Sequence, residues 1–237
     1  YLIDFFRMVK LKFKISPSSL NLMKECPRCF WFEKNGIWKR PTGIFGSLQS
    51  GMDKILKAYF DKFREKTGKI KNRLPPEIRY NLHVVGMYLF DKEGLLKDWR
   101  NNFKGIRWED EDGNVLFGAV DDILVNYANE RKLVVLDYKT RGFELKENSA
   151  TYYQTQLDVY TLLLRKNGYK TEDYAFLVFY IPKEIHEFKG IIFNKCLIKI
   201  PVNVKDAEDL FKEAIRLLNS DCPVKRCDWC RFVERSN

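Results

Sequence analysis

The sequence predicts an α/β fold: a mixed β-sheet flanked by helices. Three observations carry it. Amphipathic and strand-like stretches follow one another in the order helix, helix, three strands, helix, two strands, helix, a pattern that buries a sheet between helical layers. Leu133-Val134-Val135-Leu136 is a short continuous apolar run, the mark of a central strand. The 237 residues, 45% of them hydrophobic, give ample material for a large core, and residues 1–237 are read as one domain.

Residues 1–15 are apolar and basic, too broken by charge for a secretory signal and followed by no small-residue cleavage site, so they read as an N-terminal strand or arm. Ser16-Pro17-Ser18-Ser19-Leu20 opens a helix, because a serine can cap the free amides and proline suits the first turn. Leu20, Met23 and Phe30 fall on one face, and Cys26-Pro27-Arg28-Cys29 lies within the segment. After the break at Pro41-Thr42-Gly43, residues 46–64 read as a long helix with Leu48, Met52, Ile55, Leu56, Tyr59 and Phe63 on one side. The basic stretch 66–71 reads as a solvated loop. Residues 66–101 as a whole are expected to form a helical insertion over the cleft, with a short helix starting near Glu93.

Residues 103–109 have strand character and end in the Asp110-Glu111-Asp112-Gly113 turn. Residues 115–125 read as one mostly buried strand, 126–132 as a polar turn, and the strand from Leu133 runs into Asp137-Tyr138-Lys139. The polar loop 141–149 is the expected rim of a substrate groove. Residues 152–166 form an amphipathic helix with Gly168 as its C-terminal cap. Strands at 173–181 and 188–200 follow, the second carrying Cys196 as a small core residue, and then an amphipathic helix at 204–219.

A net charge of +10 and a pI near 9.2 favour an anionic partner, nucleic acid first among them. No run of eighteen apolar residues is present, so no membrane span is expected. A chain with this much core needs no disulfide staples. Its six cysteines, Cys26, Cys29, Cys196, Cys222, Cys227 and Cys230, therefore point to a reducing, cytoplasmic setting, and the clustered ones to metal ligation.

Asp137 and Lys139 are two residues apart on a strand, so their side chains share a face. A hairpin that sets Asp121 or Asp122 beside them gives two carboxylates and a lysine, a set able to hold Mg²⁺ and a water against a phosphodiester. A D-x-K pair alone is more often a surface ion pair, but here Gly118-x-x-Asp121 precedes it and Gln156-x-x-x-Tyr160 follows on a helix. That ordered set resembles the PD-(D/E)xK nucleases, and among them the RecB-like branch with the AddB nuclease domain and the CRISPR-associated exonucleases, over residues 16–230.

The resemblance implies a restriction-endonuclease-like core with a helical N-terminal elaboration, and a metal-dependent DNA nuclease, an exonuclease on single-stranded or end-exposed DNA that works with other DNA-processing proteins. It makes Asp121 and Asp137 ligands of Mg²⁺ or Mn²⁺ with the Tyr138 carbonyl as a third. Lys139 becomes the group that aligns the attacking water, and Gln156 and Tyr160 the braces of the site. The spacing G-x-x-D picks Asp121 over Asp122. The branch also joins the ends of its domain with an iron–sulfur cluster, which here implies a cysteine subdomain made of residues 16–40 and 220–232. Cys26, Cys29, Cys227 and Cys230 are the expected ligands, with Cys222 as the alternative to Cys29, a 4Fe-4S cluster as the expected cofactor and Zn²⁺ as the alternative. One position departs: the family's helix begins G-x-x-x-H, and Ser50 stands in the histidine's place, with Gln49 or Asp53 as substitutes. The competing reading is a non-cleaving nucleic-acid-binding factor with a nuclease-like fold, part of a larger DNA-processing complex.

Overall fold

A computed structural model describes residues 12–41, 46–64, 73–90 and 92–235; residues 1–11 of the arm expected at 1–15 and the basic loop at 66–71 lie outside them. A five-stranded sheet has the order β2 (Met87–Leu89), β5 (Asp122–Asn126), β6 (Lys132–Thr140), β7 (Tyr174–His186), β8 (Gly190–Pro201). Within this sheet, among the described residues, only β6 and β7 are adjacent parallel strands, and the helix α6 (Gln154–Lys166) supplies the crossover that a parallel pair requires. A smaller sheet has the order β1 (Lys14–Ile15), β4 (Val115–Gly118), β3 (Ile106–Glu109).

The central strands are apolar on both faces because both faces are covered. Ile123, Val125, Val135, Leu177 and Phe179 belong to one core with α1 (Pro17–Glu25), α6 and α7 (Val204–Leu218). Leu124, Val134, Leu136, Phe176 and Val178 belong to a second core with Leu56 and Phe60 of α3 (Ser47–Asp61) and Ile78 of α4 (Pro76–Arg79). This two-sided burial is why the Leu133–Leu136 run does not alternate.

Ser16 caps α1 as expected, its hydroxyl accepting from the Ser19 amide at 3.3 Å. The helix then stops where a continuous one was expected. Cys26 is extended (φ −152°, ψ 102°) and Pro27 starts a new helix, α2 (Pro27–Lys34), because the residue before a proline is pushed out of the helical region. Gly168, past the end of α6, has φ +83°, a left-handed cap that favours glycine.

Three further expectations are corrected. Residues 115–125 are two strands in different sheets, with the chain crossing between them at Ala119, Val120 and Asp121; hydrophobicity runs through the break because Val120 is buried as deeply as the strands. The described part of the 66–101 insertion is not wholly helical. It holds α4, the strand β2 that pairs with β5, and α5 (Glu93–Trp99). The strands expected at 173–181 and 188–200 extend into a two-stranded ribbon reaching His186 and Gly190, whose exposed outer part pairs through backbone bonds and needs no apolar pattern.

Candidate active site and a four-cysteine centre

Asp137 and Lys139 share a face of β6, as period two requires, and meet Gln156 on α6. The Lys139 ammonium lies against Asp137 Oδ2. Gln156 Nε2 donates to Asp137 Oδ1 at 2.9 Å and to the Tyr160 hydroxyl at 3.0 Å, and its Oε1 is 3.5 Å from Lys139 Nζ. Asp121 comes from the crossing between the two sheets and is held by the Tyr138 amide, which donates to Oδ2 at 2.9 Å. Asp121 lies near enough to Asp137 for its charge to be felt there. Gly118 is there because the Tyr160 ring covers its backbone: a Cβ at this position would sit 2.4 Å from a ring carbon.

The electrostatics follow from this crowding. Asp137 is 1% exposed, and burial, then the charge of Asp121, pushes its carboxyl up to about 7, with Lys139 opposing. Burial also disfavours the charged form of Asp121, but the ammonium groups of Lys57 and Lys139 outweigh it and hold this carboxyl below the usual value. Burial works against both ammonium groups as well, yet the carboxylates beside Lys139 and Lys57 keep them protonated above the ordinary lysine range. Asp137 Oδ2 is buried and makes no hydrogen bond of good geometry; the Lys139 ammonium lies beside it. Two adjoining carboxylates, one with an oxygen so placed, are a fitting oxygen donor set for a hard divalent cation.

Helix α3 supplies what the sequence left open. Ser50 is exposed. Lys57, one turn beyond Asp53, reaches the site instead: its Nζ is 2.9 Å from Asp53 Oδ2 and 2.9 Å from Asp121 Oδ1. Gln49 and Asp53, the suggested substitutes for a histidine, line a cavity of about 160 Å³ with Lys139, Thr140 and Tyr153. Sequence reading missed Lys57, since Asp53 and Lys57 at i and i+4 look like an ordinary surface pair.

Asp122, the rival of Asp121, is fully buried and spoken for. Arg64 and the Tyr138 hydroxyl close on it, and Arg100 Nη2 donates to it at 2.9 Å. Arg100 also donates to the Asp121 carbonyl at 2.6 Å, so the network behind the site fixes the backbone that carries Asp121.

At the far ends of the described chain, Cys26, Cys29, Cys227 and Cys230 bring their sulfurs within 4.8 Å of one another. Each C-x-x-C motif occupies the start of a helix, α2 and α8 (Asp228–Arg235), where unpaired amides and the helix dipole favour thiolates, while burial pushes the Cys29 and Cys230 thiols up. Arg40 Nη2 adds a bond to Cys227 Sγ at 3.3 Å. Burial opposes ionisation of Cys227, but the Cys230 amide and the neighbouring sulfurs bring it down to about 6. Cys222 stands outside this group, its sulfur facing the Pro223 carbonyl at 3.8 Å.

The sequence profile of the PD-(D/E)XK nuclease superfamily matches residues 14–235. The chain belongs to the PD-(D/E)XK nuclease superfamily. The mixed, helix-flanked sheet and the D-x-K strand at its centre are those of a restriction-endonuclease-like nuclease fold. A solved structure titled "Crystal structure of SSO0001" is similar over 95% of this chain and 86% of its own, at 14% identity and a TM-score of 0.39. No curated protein matches the chain. Nucleases of this superfamily use divalent metals, and the four-cysteine group of this member has donors suited to zinc or iron–sulfur ligation. Among the described residues no helix is long and apolar enough to cross a membrane.

Proposed function

We propose that this PD-(D/E)XK nuclease is a Mg²⁺- or Mn²⁺-dependent deoxyribonuclease of the RecB-like branch, an exonuclease acting on single-stranded DNA or free DNA ends. The observation that carries the reading is the convergence of Asp121, Asp137 and Lys139 on one point, with Gln156 and Tyr160 packed behind them. Asp121, Asp137 and the Tyr138 carbonyl would hold the ion. When bound, the ion supplies a water of lowered pKa and positive charge beside the phosphate. Lys139, protonated between two carboxylates, donates to that water and to the developing negative charge on the phosphate oxygens. Gln156 keeps Asp137 oriented through its 2.9 Å bond, and Tyr160 holds Gln156 in turn.

Labelled linear single-stranded, circular single-stranded and blunt duplex DNA, each with Mg²⁺, Mn²⁺ or chelator, tests the reading. Linear strands should be shortened with metal while circles survive, and Lys139→Ala should abolish the reaction. If Lys139→Ala and the wild type behave alike, the nuclease reading fails. Ser50 in the position of the family's histidine is the one observation favouring the second reading, a non-cleaving nucleic-acid-binding component of a DNA-processing complex.

The four cysteines carry the 4Fe-4S cluster that the RecB-like resemblance implies, with one zinc ion as the alternative. Four of the six sulfur pairs stand at 3.3 to 3.7 Å, Cys29 to Cys230 closest, and all six lie within 4.8 Å, so the thiols face one point, and thiolates suit either metal. A brown protein with iron and acid-labile sulfide supports the cluster; a colourless one with one zinc per chain puts zinc in its place.

A further inference from the structure

Two cavities open beside the acid–lysine site, and one pair of rings stands between them. The first, about 640 Å³, runs along the polar loop after β6 and is lined by Arg141, Phe143 and Lys146 among others; the second, about 450 Å³, reaches Gln156, Tyr160 and Gly118. Each lies in the size range of pockets that enclose a small ligand, ~300–1,000 Å³. Tyr152 and Tyr153 line both.

The two tyrosines differ. Tyr153 is anchored: it packs on Phe179 and carries the Lys139 ammonium 4.7 Å from its ring centre. Tyr152 meets Tyr153 edge to face at 5.3 Å but is 77% exposed, and on the rim of the larger cavity Phe143 is 82% exposed. Neither outer ring serves the core. Both flank a groove whose cations are Arg141, Lys146 and, at the site itself, Lys139. Exposed rings interleaved with cations along a groove are what a single nucleic-acid strand needs, since unpaired bases stack and phosphates pair. Bases within a duplex are already stacked on one another and offer no free face to a ring.

We infer that the Tyr152–Tyr153 pair is a stacking step on a single-strand track: one unpaired base packs on Tyr152, the phosphates on either side face Arg141 and Lys146, and the backbone is led across the Tyr153 ring to Lys139. The inference deepens the nuclease reading and rests on it for the end of the track. It makes single-strandedness, and not base sequence, the property recognised, because every base has a face to stack.

The test is binding without cutting. The full chain, with no Mg²⁺ or Mn²⁺ added, is titrated into fluorescein-labelled single-stranded DNA, the matching RNA and duplex DNA, and anisotropy is read. Tyr152→Ala should weaken single-strand binding about tenfold, within the roughly 5- to 150-fold expected for one stacked base, and leave duplex binding unchanged. Tyr152→Trp should retain the wild-type affinity. A 2-aminopurine in the strand should be quenched by the wild type and not by Tyr152→Ala. A loss seen on DNA, on RNA or on both upholds the track and names the strand it takes. Unchanged single-strand affinity in Tyr152→Ala, or an equal loss on duplex, overturns it. A protein that holds single strands through Tyr152 yet cuts nothing with Mn²⁺ would sink the nuclease reading and leave the track standing.

Discussion

Lys57 Nζ lies 2.9 Å from Asp121 Oδ1, so a helix of the second core puts a permanent cation on the carboxylate assigned to the metal. The side chain is largely buried and also paired with Asp53, so it cannot swing away without leaving two carboxylates exposed to each other. Lys57 and a divalent ion therefore compete for the same charge. Lys57→Met keeps the length of the stem and removes the competitor. Mn²⁺ affinity, measured by calorimetry or by loss of the free-ion resonance, should rise about tenfold, the equivalent of roughly one pKa unit of interaction. Equal affinities in variant and wild type would show that the ion does not use Asp121.

Asp137 gives the metal a pH dependence. Its carboxyl is pushed up to about 7 by burial and by Asp121, so below that pH a cation must first displace a proton. Mn²⁺ affinity should fall about tenfold per pH unit below 7 and level off above it, and calorimetry in buffers of different ionisation enthalpy should detect the released proton. The same raised value acts on stability with a definite sign. An acid that binds its proton more tightly folded than unfolded stabilises at low pH, and that contribution is lost as pH rises from the ordinary carboxylate range to about 7. The melting temperature of metal-free protein should gain over Asp137→Asn as pH falls through this window. A flat difference would mean Asp137 is already ionised.

Adjacent aspartates should fail in different ways. Asp122 compensates Arg64 and Arg100 inside the fold, and removing one partner of a buried pair costs about 3–5 kcal/mol because a charge is left unmatched. Asp122→Ala should lower the melting temperature by about 10 °C. Asp121→Asn should abolish cleavage while leaving the melting temperature within a few degrees of wild type. Reversed phenotypes would exchange the two roles.

Much of this was readable beforehand because local chemistry and tertiary need agree. Ser16 and Pro17 favour the start of a helix, the Leu133–Leu136 run favours the inside of a sheet, and the structure keeps both. Asp137, Lys139, Gln156 and Tyr160 meet because strand period and helix period each dictate a face. What stayed hidden depends on partners remote in sequence. Lys57 is ordinary until Asp121, sixty-four positions on, arrives beside it. The break after Gly118 carries no polar signal, because Val120 inside the crossing is itself core, and the reason for the glycine is a ring that comes from α6. Nothing local marks Arg64 and Arg100, which the fold closes over Asp122.

The four-cysteine centre should behave as a clasp on the whole chain. Cys29 and Cys227 are 198 positions apart and their sulfurs 3.5 Å, so a metal between them removes the freedom of nearly the entire unfolded polypeptide, worth about 5 kcal/mol by analogy with a disulfide closing a loop of a hundred residues or more. Stripping the ion with a strong chelator, or replacing Cys230 with serine, should cost a comparable amount and drop the denaturation midpoint sharply. Cys222→Ser, outside the sulfur group, should leave the midpoint where it was. Because the cysteines lie on α2 and α8 while Lys139 lies on β6 and Asp121 at the crossing between the sheets, refilling the cysteines with their own metal should restore the midpoint without restoring cleavage until Mg²⁺ or Mn²⁺ is also supplied. A Cys222→Ser variant as unstable as Cys230→Ser would reassign the fourth ligand.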